Sequence, residues 1–284
     1  MLRFATCKSH EAVDPGKLTR TRVFSLQIAM KNTNPKPRIN PTIVTTSWDD
    51  GHPCDLRLAE ALGESRMPAT FYVPLVGEDG RAVLHTAALR SFLDQGFEIG
   101  AHTVTHQILP ELDSTALLKE VFGSKQLLED ELGREVRMFC YPRGRYDSRV
   151  IRSVRLSGFL GARTTRMLSQ SLAFSRFEMP TSLQAYPHPP MNYLKNLGKR
   201  RDLVGIASYV TKYSKCKNWA EMGKIMFDDV LREGGIWHLY GHSWELEEFG
   251  LWDQLQELFS YVSNRPGVIY ACNSKALELG AEAA

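Results

Sequence analysis

The chain has 284 residues, 43% of them hydrophobic and 24% charged, with 35 Lys and Arg against 32 Asp and Glu for a net charge of +3. That length and apolar fraction suit one sizeable core, and α/β barrels of this size are usually single domains. The mild, dispersed basicity argues against nucleic acid as a partner, and no apolar run approaches the roughly 18–20 residues needed to span a bilayer.

Residues 1–38 are polar and contain several Asn and Pro. The apolar stretch at 23–30 follows Arg20 and Arg22, but Ser25 and Gln27 interrupt it and Lys31 follows, so it makes a poor signal peptide. We expect a poorly ordered leader over 1–38 and one catalytic domain over 39–284. The five cysteines are odd in number and contain no Cys-x-x-Cys pair, which points to a reducing, cytoplasmic setting.

A β-branched strand at 43–47 leads straight into Trp48-Asp49-Asp50-Gly51. A helix follows over 55–65, with Leu58, Ala59 and Leu62 among its apolar positions, then a strand over 69–73 closed by Pro74. The next helix, 86–95, is ended by Gly96, and a strand over 97–101 runs into His102-Thr103-Val104-Thr105-His106. Asp113 or Ser114 can cap a long helix with Leu117, Val121, Leu128 and Leu132 on one face and Gly133 as its stop. A strand over 137–141 opens into Pro142-Arg143-Gly144. Asp147 can cap a helix ending near 158, and a strand over 159–164 follows. Pro180, Pro187, Pro189 and Pro190 make 165–192 a long loop around at most a short strand. Helices over 193–213 and 219–232 precede a strand over 236–240, which ends in Gly241-His242-Ser243-Trp244-Glu245. A helix over 252–263, a strand over 268–272 and a tail helix complete the chain. This alternation predicts a parallel sheet with crossover helices, and about seven strands favour a barrel over an open doubly wound sheet. No G-x-G-x-x-G follows the first strand to support the open sheet.

In such barrels the loops after the strands form the functional mouth. Four polar clusters fall there: Asp49-Asp50, His102 with His106, Tyr141 to Gly144, and His242 to Glu245. His102 and His106, placed one helical turn apart, can reach one ion, and with a carboxylate they form a two-His, one-carboxylate set that suits zinc (Zn2+) or another divalent first-row metal. The two adjacent carboxylates should divide their labour, one on the metal and the other free to take a proton. His242 is placed to be a general acid. His238, inside the apolar strand, reads as a buried structural histidine. Trp48, Trp237, Trp244 and Tyr141 are candidates to line a groove for a sugar face. Each feature alone has a plainer reading: Asp-Asp-Gly as a turn, the histidines as surface or core residues, the aromatics as packing.

Together, residues 47–51 and 102–106 resemble the first two motifs of the polysaccharide deacetylase family (NodB homology), which includes the chitooligosaccharide deacetylases of nodulation. The similarity runs from about 42 to 275. It implies a distorted (β/α)7 barrel of one domain. It further implies Asp49 as catalytic base, Asp50, His102 and His106 as metal ligands, and His242 as general acid. The third motif departs from the family pattern: Cys140 stands where the family has the arginine that orients the base, and Arg143 stands where its tyrosine supplies an oxyanion-binding N–H. Arg143 can keep that role through its own N–H, and Arg163 after the fifth strand could replace the missing arginine in space. The family's fourth motif is not recognisable, and the loop around 178–190 takes its place. The expected activity is hydrolysis of a carbon–nitrogen bond by metal-activated water, with an N-acetylated carbohydrate or a small amide as substrate. Two alternatives remain open: a hydrolase of a ureide or cyclic amide, without metal in one form, and an inactive carbohydrate-binding barrel.

Overall fold

Strand-forming and helix-forming sequence alternate throughout residues 40–283, the part of the chain that the computed structural model describes. The leader expected over 1–38 lies outside the described residues.

The first half contains β1 (Thr42–Asp49), α1 (Asp55–Ser65), β2 (Thr70–Val73), α2 (Thr86–Asp94), β3 (Glu98–Ala101), α3 (Ser114–Leu132), β4 (Met138–Cys140), α4 (Ser148–Leu156) and β5 (Gly161–Arg163). The second half contains β6 (Leu183–Gln184), α5 (Pro190–Lys199), α6 (Leu203–Thr211), α7 (Trp219–Glu233), β7 (Gly235–Gly241), α8 (Ser243–Glu248), α9 (Trp252–Val262), β8 (Val268–Tyr270) and α10 (Asn273–Ala283). The strands are parallel, in the order β5-β4-β3-β2-β1-β7-β6. One edge of β1 pairs with β7 along its length. The other edge is shared, with β8 opposite Thr42–Val44 and β2 opposite Ser47–Asp49. The stretch 179–184 closes the curl. Met179 bridges Arg163 at the end of β5, and Leu183 and Gln184 pair with Leu239 and Tyr240 of β7. The result is the distorted (β/α)7 barrel, in one domain.

Strand alternation divides the core into two layers. Val44, Trp48, Phe71, Phe139 and Trp237 face outward and pack in one cluster with helix residues such as Leu58, Phe92 and Leu258. Ile43, Tyr72, Met138, Cys140 and Ile236 occupy the alternate positions and form a second, inner cluster. Asp49 shares the parity of Ile43, so it points with the inner set. Trp48 does not.

The expected caps form. Asp113 accepts from the N–H groups of Thr115 and Ala116, Gly133 ends α3 at φ 65°, and Asp147 accepts from Val150 N–H. One expected helix differs. The stretch 193–213 is two helices, because Arg201 takes φ 55° and Asp202 starts a new cap by accepting from Gly205 N–H. The first of these helices also starts earlier than expected, with Pro190 in its first turn. Helix α8, immediately after His242, has no counterpart among the elements read from sequence.

Candidate active site

The backbone reverses as soon as β1 ends. Asp50 takes φ 77° and Gly51 φ 58°. A Cβ on Gly51 would lie 2.8 Å from Val73 Cγ1, so the turn needs glycine both for its φ and for the close approach to β2. Asp49 ends buried at 3% exposure, with Asp50 beside it at the mouth.

His102 and His106 do not lie on a helix, contrary to the expectation from their spacing. They sit in an irregular loop in which Thr103 has φ 71° and His106 φ 56°. Glu120 on α3 holds that loop, accepting from Val104 N–H and Thr105 N–H, both at 2.9 Å, and from the Thr105 hydroxyl at 2.6 Å. The two Nε2 atoms come within 3.2 Å of each other, and Asp50 Oδ1 lies 3.4 Å from that of His106 and 3.8 Å from that of His102. Asp50 Oδ1 is buried without a hydrogen-bond partner, while Oδ2 accepts from Trp244 Nε1 at 2.9 Å. His102 Nδ1 donates to the Cys140 carbonyl at 2.9 Å, which fixes the tautomer that leaves Nε2 free for a ligand. Burial holds the His102 pKa down at about 4, so the ring is neutral at pH 7. Burial opposes ionisation of Asp50, but the His242 charge and the neighbouring imidazoles outweigh it and hold the carboxyl below its usual range. An unpartnered buried carboxylate oxygen facing two imidazole nitrogens fits a divalent cation with a two-His, one-carboxylate set.

Asp49, His102 and Cys140 also bring candidate ligand atoms together. That set is the poorer one. Burial pushes the Cys140 thiol well above its usual range, His102 Nδ1 is already committed, and Asp49 is ion-paired elsewhere. Its partner is Arg163, fully buried at the end of β5. Burial would raise the Asp49 pKa, yet the Arg163 charge outweighs it and holds the carboxyl below its ordinary value. The arginine expected near Cys140 thus comes from β5. Its guanidinium lies over the rings of Tyr72 and Tyr240, 5.2 and 4.8 Å from their centroids.

His242 Nε2 lies 3.9 Å from Asp49 Oδ2, on the side away from Arg163. Its Nδ1 bonds to Glu245 Oε2 at 2.7 Å. Burial alone would lower the imidazole's pKa, but the bond to Glu245 and the charges of Asp50 and Asp49 raise it to about 9. Glu245 in turn accepts from Gln184 Nε2, and Gln184 Oε1 is bonded by Tyr240 OH and His188 Nε2. His238 is fully buried between Ser47 Oγ and the Pro180 carbonyl, and burial drops its pKa to about 3.

Asp49, Asp50, His102, His106, Gln184, Tyr240 and His242 line a cavity of about 340 Å3 that also includes Glu78, Tyr141, Arg143, Thr165 and Trp244. Of the base, acid, ligand and groove residues expected from sequence, Trp48 and Trp237 are absent from the lining. Both are fully buried in the outer layer, Trp48 edge-on against Phe259. Tyr141 lines the cavity with its hydroxyl donated to the Phe177 carbonyl. The ring of Trp244 is covered on one face by the Arg81 guanidinium, 3.8 Å from the centroid. Arg143 takes φ 54°, and its side chain is tied to Glu78. The N–H groups of Gly144 and Arg145 bond within the turn, whereas that of Arg143 has no acceptor among the described residues. Sequence reasoning assigned no role to Glu78, Glu120, Gln184 or Glu245. Only Glu245 had a local signal, three residues after His242 in the same cluster.

Residues 36–162 match the family model for polysaccharide deacetylase. Among solved structures, a Mycobacterium smegmatis protein assigned as a polysaccharide deacetylase aligns with TM-score 0.62 at 20% identity, over 87% of this chain and 93% of that one. The chitin deacetylase of the fungal pathogen Colletotrichum lindemuthianum aligns with TM-score 0.56 at 16% identity, over 84% and 88%. The Xyl-CE4 domain of a multidomain xylanase from the hindgut metagenome of Trinervitermes trinervoides aligns with TM-score 0.52 at 11% identity, over 84% and 91%. At these identities the structural likeness speaks for the fold.

Proposed function

We propose that this chain, whose residues 36–162 match the polysaccharide deacetylase family, is a metal-dependent hydrolase that removes N-acetyl groups from an amino-sugar oligo- or polysaccharide. The observation behind this reading is the split fate of two adjacent carboxylates. Asp50 keeps an unpartnered oxygen beside His102 and His106, while Asp49 is paired with Arg163 and faces His242.

Asp50, His102 and His106 would hold the ion, with zinc first among the candidates. When bound there, a divalent ion supplies Lewis acidity, which polarises an amide carbonyl and acidifies water enough for a weak carboxylate base. Asp49 takes the proton from the attacking water, and Arg163 fixes its orientation and keeps it ionised. The Arg143 N–H donates to the oxyanion that develops on the carbonyl oxygen. Protonated His242, held through Nδ1 by Glu245, gives the Nε2 proton to the departing amine. Tyr141 and the uncovered side of Trp244 provide apolar surface for the sugar.

A panel of N-acetylated oligosaccharides and small amides, assayed with zinc and with chelator, tests this. Zinc-dependent acetate release is expected. Metal-independent release of ammonia would replace this reading with that of a ureide or cyclic-amide hydrolase. Saccharide binding without turnover under any metal would leave a carbohydrate-binding barrel.

A further inference from the structure

Helix α6 is out of place on a water-facing surface. Its sequence, Leu203-Val204-Gly205-Ile206-Ala207-Ser208-Tyr209-Val210-Thr211, contains no charged residue, and Tyr209 is its only buried side chain. Leu203 is 76% exposed, Val204 78% and Val210 54%, and Met191 on the neighbouring α5 is 56% exposed. Scattered exposed apolar residues are ordinary. Here three fall on two turns of one helix, and Leu203 and Val210, seven apart, share a face.

The flanks are as one-sided in charge as α6 is apolar. Between residues 179 and 220 the chain has Lys195, Lys199, Arg200, Arg201, Lys212, Lys215 and Lys217 against one acid, Asp202. Asp202 pairs with Arg200, and Lys212 reaches Asp229 on α7. Lys195, Lys199, Arg201, Lys215 and Lys217 are exposed and have no carboxylate within ion-pair distance among the described residues. An apolar helix face framed by unpaired cations matches an anionic lipid surface, with side chains for the acyl boundary and charges for the headgroups. A protein partner would need a strongly acidic rim around an apolar centre, and a second copy would oppose like charges across the contact.

We propose that the α5–α6 hairpin binds an anionic membrane surface, with Leu203, Val204 and Val210 inserting below the headgroups and Arg201, Lys215 and Lys217 lying among them. The helix lies along the interface; no described helix is long and apolar enough to cross a membrane. The hairpin also adjoins the active-site cavity. Lys195 and Lys199 of α5 line a pocket of about 250 Å3 that shares Thr165, Gln184 and Tyr240 with the cavity holding Asp49 and His242. Docking through α6 would therefore hold that cavity close to the membrane plane.

Vesicle sedimentation tests the proposal without any assumption about catalysis. The full chain should pellet with phosphatidylserine-containing vesicles, much less with phosphatidylcholine alone, and less at high salt. The triple variant Leu203→Ser, Val204→Ser, Val210→Ser should lower partitioning by about tenfold or more. A charge variant, Arg201→Glu with Lys215→Glu and Lys217→Glu, should remove the preference for anionic lipid. All six side chains are exposed, and circular dichroism checks that both variants fold. Acetate release from a soluble oligosaccharide should be the same in both as in the wild type, which separates failure of this proposal from failure of the deacetylase reading. Absence of pelleting with phosphatidylserine vesicles would overturn it, as would pelleting that neither variant changes. Self-association that the serine variant abolishes, without vesicle binding, would overturn it in favour of a second copy.

Discussion

Asp49 and Asp50 differ by one position in the chain and by nearly everything in their surroundings. One is compensated by an arginine, and the other keeps an oxygen without a hydrogen-bond partner beside two imidazoles. Asp49→Asn keeps the shape of the group and removes its basicity, so deacetylation should fall by at least about a hundredfold while zinc still binds with near wild-type stoichiometry. Retained turnover would overturn the assignment of the base. Glu245→Gln tests the other proton carrier. In the metal-free protein His242 has a pKa of about 9, above its ordinary 6.5, so it stays protonated at neutral pH and loses its proton as pH rises through about 9. The same raised value means that its ion pair stabilises the fold fully below the ordinary imidazole range and stops doing so above about pH 9. Replacing Glu245 by Gln should move the His242 titration, followed by NMR, clearly downward. An unmoved titration would show that Asp49 and Asp50 alone hold the proton. Most of this constellation was legible because acidic and imidazole groups after strands of a parallel barrel must converge. Trp48 was misjudged for an equally simple reason. It neighbours Asp49, and neighbours on a strand face opposite ways, so Asp49 in the site puts Trp48 in the outer core.

At the scale of elements, the regular pieces were readable from periodicity and caps, and the irregular ones were not. Asp113 and Gly133 frame α3 as their residue types suggest. The break between α5 and α6 also had a signal, Asp202 three residues before Gly205, but the apolar run around it obscured the cap. The His102–His106 loop had no local signal at all, since its conformation depends on Glu120, which reaches it from a helix later in the chain. Spacing alone suggested a helical turn. Glu120 touches neither candidate ligand directly, yet it ties down two of the three N–H groups between them. Glu120→Ala should lower zinc affinity by about 10–100-fold, measured by competition with a chromophoric chelator, with the overall fold retained by circular dichroism. Unchanged affinity would mean that the loop holds its shape without α3.

For the whole molecule, the seven-strand barrel followed from the alternation of elements. Its closure did not, because the stretch 179–184 has only two residues in regular strand geometry and lies among prolines. Metal binding should be linked to the stability of this closed form, because Asp50 lies after β1 and the histidines after β3. Saturating zinc should raise the melting temperature, by the equivalent of about 2.7 kcal/mol at a hundred times Kd, and chelator should reverse the gain. The double variant His102→Ala, His106→Ala should show no such shift, and a shift that persists in it would place the ion elsewhere.

The position of Arg163 has a consequence for how such chains change over time. The family match ends at residue 162, one position before it. The proposed ion ligands all precede that boundary, whereas Arg163, Gln184, His242 and Glu245, proposed above to orient the base or to hold the general acid, all follow it. The two sets therefore fall in different parts of the chain, one inside the matched region and one beyond it. A descendant could keep every feature by which its ancestry is recognised while its later half exchanges arginine, acid and hairpin for others. Relatives that look alike over the first 160 residues need not share a substrate, and a chain without Arg163 would keep its three proposed ion ligands while its proposed base lost its charged partner.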